Sequence, residues 1–391
     1  MSAGITVRAY VVGFGDCILL RLPDGNATRH VLIDFGRAPN DPGSVGRFPD
    51  IARDIEKQCD GHLDLVVVTH EHLDHMEGFY REREVFDRMD VDRVWMSLPS
   101  SPTYYHDYPN ARLQKIVRDN LAEFAGNAAR KGIAFHPAFL SLLQNNLANK
   151  QRMDYVRKLG AQPPLYLARG TKGKAAEKWS KHIHVRVLAP EADTSKYYGR
   201  TAKSRALIGA LRLTAAGDRQ AASAGDPWEF ATVPRAADDD LPGLTASDFA
   251  RLRRAIREDG VAAARFIDRA QNNTSLALLV ECAGKRLLLP GDAEIESWRM
   301  IEEHAPDAIA PVDFLKVAHH GSHNGTPMHL LDKLLPKARK AKAKVLVSTK
   351  RNVYGTQNPV PDRSTLDELR TRCSELTTTD GVKALAVDVK L

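Results

Sequence analysis

Apolar positions along the chain gather into short runs broken by glycine, proline and aspartate, and these runs cluster toward the two ends. Ile5 to Val12 and Cys17 to Leu22, joined through Gly13-Phe14-Gly15-Asp16, read as paired strands. A Pro-Asp-Gly turn at Pro23 to Gly25 leads to a third strand, His30 to Ile33, ending in Asp34-Phe35-Gly36. The pattern then predicts a helix over Val45 to Gln58, a buried strand over Leu63 to Val68 and another over Val91 to Met96. In the last third, Ser275 to Cys282 and Arg286 to Leu289 form a hairpin about Ala283-Gly284. Phe314 to Ala318 and Val345 to Ser348 are further strands, separated by a helix near Met328 to Lys340. A helix over Ser364 to Arg372 and a strand over Lys383 to Val389 follow. Hairpins alternating with helices predict a mixed α/β sandwich.

The interval 100–270 has a different character. Leu113 to Gly132 and Ala138 to Leu159 carry apolar residues at helical spacing, decorated by Arg112, Lys115, Arg118, Arg130, Lys131, Lys150, Arg152, Arg157 and Lys158. Ala215 to Asp240 reads as a polar loop, and Thr245-x-x-Asp248 as the cap of a helix reaching Glu258. The chain is therefore divided into a first half (1–99), a basic and mainly helical insertion (100–270) and a second half (271–391) of one domain.

Chemistry concentrates where strands end. Thr69-His70-Glu71-His72-Leu73-Asp74-His75 follows the Leu63 to Val68 strand. Histidine and aspartate are costly to bury unpaired, and imidazole with carboxylate suits zinc and similar divalent ions. One loop cannot surround two ions, so further ligands come from afar. Asp292 follows Leu287 to Leu289 and Pro290-Gly291, where a carboxylate can bridge two cations ~3.5–4 Å apart. Phe314 to Ala318 leads likewise into His319-His320-Gly321-Ser322.

Composition bounds the class. The 391 residues are 43% hydrophobic and 27% charged, in the ordinary globular range. No apolar run approaches the ~18 residues of a membrane helix, and the start of the chain lacks a signal-peptide pattern. Four scattered cysteines without C-x-x-C argue for neither a disulfide framework nor a Cys-based zinc site, and a reducing, cytoplasmic setting is the default expectation. A net charge of +7 is compatible with a polyanionic partner.

The ordered motifs resemble the metallo-β-lactamase fold, and more finely its ComEC-type branch, the metallo-hydrolase domain of bacterial DNA-uptake proteins and their soluble relatives. The carriers are Gly13 to Asp16, Leu32 to Gly36, His70 to His75, Asn272 to Leu276, Pro290-Gly291-Asp292, Leu315 to Ser322 and Asn352-Val353-Tyr354-Gly355. They cover about residues 5 to 99 and 271 to 391. The resemblance implies an αββα four-layer sandwich with a helical insertion and two divalent ions, zinc or alternatively manganese. His70 and His72 would bind the first ion, Asp74 and His75 the second, and Asp292 would bridge them. His319, first off its strand, is favoured to complete the second site, with His320 touching the substrate or orienting a ligand.

Two departures bear on the site. Many relatives supply another histidine to the first metal, whereas the strand ending at Ala189-Pro190 offers only His182 and His184, which strand alternation explains nearly as well. The family pattern N-x-Y-G-H-P also lacks its histidine here, leaving Ser322, Lys350, Arg351, Asn352 and Tyr354 as substrate contacts. The implied activity is hydrolysis by a metal-activated hydroxide, with Asp74, Asp292 and His320 as catalytic residues and Asp74 orienting the water. A phosphodiester, including nucleic acid, is the expected substrate. A small ester, lactone or lactam, and a metal-binding regulatory protein without turnover, are the alternatives. For Tyr104, Tyr105 and Tyr108 the alternatives are stacking on bases of a single strand and packing beneath a loop, and packing is the favoured reading.

Overall fold

The computed structural model describes residues 4–41, 46–130, 137–147, 149–171, 180–198, 260–353 and 359–391. They form a mixed α/β structure built on two main sheets. Among the described residues fifteen strands run in chain order: β1 Thr6–Tyr10, β2 Cys17–Asp24, β3 Ala27–Phe35, β4 His62–Leu63, β5 Leu65–Val68, β6 Asp90–Val91, β7 Val94–Ser97 and β8 Leu165–Leu167. The remainder are β9 Ile183–Ala189, β10 Ala277–Cys282, β11 Lys285–Leu289, β12 Phe314–Lys316, β13 Ala343–Val347, β14 Cys373–Thr378 and β15 Ala386–Lys390. The first sheet has the order β15-β1-β2-β3-β5-β7-β8 and the second β14-β13-β12-β11-β10-β9, while β4 and β6 form a small separate pair.

Strand alternation explains the near-continuous apolar runs. Val7, Ile18, Leu20, Val31, Ile33 and Val67 face a core shared with Leu278, Val280, Leu287, Leu289 and Phe314 of the second sheet. Their neighbours Leu19, Leu32, Val66 and Val68 turn to the opposite side, onto the helix α1, Phe48–Gln58. On the second sheet Leu279, Leu288, Leu315 and Val345 likewise meet Trp298, Ile301 and Leu369. Strands buried on both faces need apolar residues at every position. The β10–β11 hairpin turns through Ala283 and Gly284, both at positive φ, as a two-residue primed turn requires.

The helix expected over Met328 to Lys340 is a 3₁₀ turn, Met328–Leu330, and a single helical turn, Leu331–Leu334. Pro336 disfavours helical backbone at Leu335, which sits at φ −131° and ψ 64°. Ala138 to Leu159 divides into Pro137–Leu147 and Lys150–Val156. Among the described residues of the interval 100–270, Arg112–Arg130 and Gly260–Asn272 are the other long helices. That interval is more than an insertion of helices, since β8 extends the first sheet and β9 the second. The expected Ala215 to Asp240 loop and the helix after Thr245 lie outside the described residues. Among the described residues no helix is long and apolar enough to cross a membrane, and the four cysteines are buried and unpaired with one another.

Candidate metal centre

Site-bearing segments leave the strand ends together. After β5 the chain turns through Thr69 to His72 into the helix α2, Leu73–Arg81, which delivers Asp74 and His75 from its first turn. Two glycines permit this approach. A Cβ on Gly36 would lie 2.3 Å from both Asp74 C and His75 N, and one on Gly15 would lie 2.7 Å from Asp74 O. Asp292 follows β11 through Gly291, held at φ +59° against Thr69 and Ser275. His320 follows β12 in a short 3₁₀ turn.

Asp74, His75, Asp292 and His320 come together as a buried group whose ligand atoms lie within 4.8 Å of one another, a set able to hold a metal ion. Asp292 Oδ2 is 3.1 Å from His75 Nε2 and 3.2 Å from His320 Nε2. Each imidazole is anchored from behind. His75 Nδ1 donates to Asp34 Oδ2 at 2.8 Å, and His320 Nδ1 donates to the Ser348 carbonyl at 3.0 Å. A neutral imidazole donating from Nδ1 turns its Nε2 lone pair inward, the usual arrangement of a metal ligand. His320 Nε2 and Asp74 Oδ1 are buried without hydrogen-bond partners, and with neutral imidazoles lone pairs face lone pairs across the cluster. A cation resolves that conflict, and the residues fit one.

Charge tells the same story. Burial opposes the charge on His75, but Asp292, Asp34 and Asp74 outweigh it and raise its pKa well above 6.5. His320 rises to about 10, again against burial, chiefly through Asp292. Burial likewise works against the Asp292 carboxylate, yet His320, His75 and Lys316 hold its pKa well below 3.8. Without a metal, protons on the two imidazoles balance the carboxylates.

His70 and His72 sit beside this group, with His70 Nε2 and His72 Nδ1 2.9 Å apart and the rings of His70 and His75 at 4.2 Å. Two imidazole nitrogens that close hold either one proton or a cation between them. Burial, with His75 and His72 nearby, pushes His70 well below 6.5 and keeps it neutral.

The structure corrects the choice within the histidine pair: His320, not His319, enters the cluster. Both residues adopt left-handed backbone, φ 48° and 54°, which splays their rings 6.2 Å apart. His319 is directed instead toward Glu294 Oε1 at 3.4 Å and Asn272 Nδ2 at 3.3 Å. His182 and His184 are exposed, with His184 opposite Glu281 on β10, and neither joins the centre.

The expected substrate contacts are less coherent. Ser322 Oγ accepts from Gly325 N at 3.2 Å and so caps the following turn. Lys350 pairs with Asp41, Asn352 is an exposed turn residue at φ 65°, and Tyr354 lies outside the described residues. Tyr104 is buried, its hydroxyl donating to Ala192 O at 3.0 Å, and its ring lies 5.1 Å from those of Tyr105 and Tyr108. Packing accounts for that trio.

Several site residues escaped the sequence reading of roles. Asp34 accepts from Thr69 N, Thr69 Oγ1 and His75 Nδ1, each at 2.8 Å. Its signal is the one that marks Asp292, an aspartate directly after an apolar strand. Lys316 is fully buried, pairs with Asp16, and lies 3.4 Å from Asp292 Oδ1. A lysine inside Phe314-Leu315-Lys316-Val317 demanded a buried carboxylate partner. Asn146 and Asp268, from the interval 100–270, carried no such mark.

Set against known proteins, the chain matches no family model and no curated protein sequence.

Proposed function

We propose that the chain is a metal-dependent hydrolase of the metallo-β-lactamase type that cleaves phosphodiesters, its two sheets and outer helices being the αββα four-layer sandwich. The observation that carries this reading is the convergence of His75 Nε2 and His320 Nε2 on the carboxylates of Asp74 and Asp292 in a buried pocket with orphaned polar atoms. In this reading His70 and His72 hold one cation, Asp74, His75 and His320 hold the other, and Asp292 lies between. Imidazole and carboxylate suit zinc first and manganese second.

Bound there, such ions lower the pKa of water toward neutrality and polarise the scissile phosphoryl oxygen. The chain's own residues prepare that chemistry. Asp34 and the Ser348 carbonyl lock the two imidazoles with Nε2 inward. Lys316 occupies one oxygen of Asp292 and leaves the other for the centre. Asp74 Oδ1, without a hydrogen-bond partner, is placed to accept a proton from an incoming water.

A second reading, a small ester, lactone or lactam as substrate, is favoured by one observation. Several basic residues of the helices are engaged in ion pairs: Arg118 with Glu71 at 3.2 Å, Arg152 with Glu77 at 2.7 Å and Arg157 with Asp154 at 2.9 Å. Charges engaged this way contribute less to a polyanion groove. The deciding experiment is a panel of single-stranded and duplex DNA, RNA, cyclic nucleotides, a bis-aryl phosphate and small esters, run with Zn²⁺ and Mn²⁺. Phosphodiester cleavage abolished by Asp292→Ala supports the proposal. Turnover confined to esters or lactones selects the second reading, and metal binding without turnover rejects both.

A further inference from the structure

We infer that Asn146 and Asp268 are positioning residues that fix His72 with Nδ1 turned toward His70, so that the helices of the interval 100–270 serve the centre itself. The inference rests on the two-cation reading above.

Asn146 is completely buried, and its orientation follows from its partners. Its Nδ2 donates to the Leu142 carbonyl at 2.9 Å and to Asp268 Oδ1 at 3.0 Å, two groups that only accept. The amide oxygen must therefore face His72 Nε2, at 3.0 Å. An amide oxygen accepts, so Nε2 carries the hydrogen and a neutral ring keeps its lone pair on Nδ1. Asp268 Oδ1, 3.6 Å from the same Nε2, favours that tautomer too. Nδ1 is the atom 2.9 Å from His70 Nε2.

His70 has matching support. The Thr69 hydroxyl gives its hydrogen to Asp34 and lies 3.2 Å from His70 Nδ1, where it can only accept; Ser275 Oγ lies equally near. A hydrogen on Nδ1 leaves Nε2 free toward His72. The pair then presents two lone pairs to one point, a two-nitrogen seat for a cation. Asn146 comes from Pro137–Leu147 and Asp268 from Gly260–Asn272, helices that pack on one another, and the first of them also packs on α2. The segment outside the family resemblance thus completes the first-cation pair in place of the histidine the sequence lacks there, by orienting rather than by ligating.

The test is zinc binding to the full chain after demetallation, read by competition with a chromophoric chelator and by the cobalt(II) absorption spectrum. Asn146→Ala is expected to weaken one of two ions about 10- to 100-fold while leaving the other unchanged. Asp268→Asn keeps an acceptor for the amide and should stay within about threefold of the wild type. If Asn146→Ala does not fold, Asp268→Ala supplies the comparison and should also lose affinity for a single ion. Two ions held with unchanged affinity and spectrum in a folded Asn146→Ala or Asp268→Ala protein overturn the inference alone. A wild-type chain that binds no metal overturns the two-cation reading and this inference with it.

Discussion

Lys316 Nζ lies 3.4 Å from Asp292 Oδ1, while Asp292 Oδ2 faces His75 and His320 at 3.1 and 3.2 Å. One carboxylate is thus divided between an internal cation and the centre. Lys316→Met leaves Asp16 and Asp292 buried without that partner, and breaking a buried pair costs about 3–5 kcal/mol. Urea denaturation of the metal-free protein should show that loss; a change below 1 kcal/mol, a rough lower bound for a buried ion pair, would contradict the assigned role.

The two adjacent histidines should separate cleanly. His320→Ala removes a member of the buried cluster and is expected to lose bound metal on gel filtration followed by elemental analysis. His319→Ala removes a ring that faces Glu294 and Asn272 and should keep it. The reverse result would restore His319 as the ligand.

Acidity of the centre gives a pH signature. The raised pKa of His320, about 10 against 6.5, contributes stability that is full below pH 6.5 and lost as the pH climbs through 10. The lowered pKa values of Asp74 and Asp292 contribute stability present above pH 3.8 and lost below it. Metal-free protein should therefore melt at progressively lower temperature from pH 8 to pH 10.5, whereas zinc-loaded protein, its imidazoles already deprotonated, should not. Calorimetric zinc titrations at pH 7.5 in buffers of different ionisation enthalpy should register proton release.

Gly36 bears on the geometry of the first helical turn. A methyl group there meets backbone at 2.3 Å on two sides, so Gly36→Ala must push α2 outward. The expected cost is about 3 kcal/mol or more, with weakened metal retention. Thermal unfolding that matches the wild type would show that α2 can retreat without disturbing Asp74 and His75.

The features readable in the sequence are those written locally. Strands such as β5 and β11 announce themselves because both faces are buried, and Asp74, His75 and Asp292 stand where such strands release the chain. The order within His319-His320 was hidden, because two successive left-handed residues reverse the usual expectation about which ring follows the strand. The helix ending at Leu334 was overextended because amphipathic spacing continued past Pro336. Asp34 was visible as a residue but not as a partner, since its role depends on Thr69 and His75 meeting it from elsewhere. Asn146 and Asp268 were invisible for the same reason: 122 positions separate them, and only packing of their helices makes them one unit.

Ser275 extends these relationships across the molecule. Its hydroxyl accepts from the Asp292 backbone N–H at 3.1 Å and lies 3.2 Å from His70 Nδ1. A single hydroxyl oxygen thus accepts from a ligand group of each sheet. A displacement of either sheet at this point is therefore felt by the ligand group on the other.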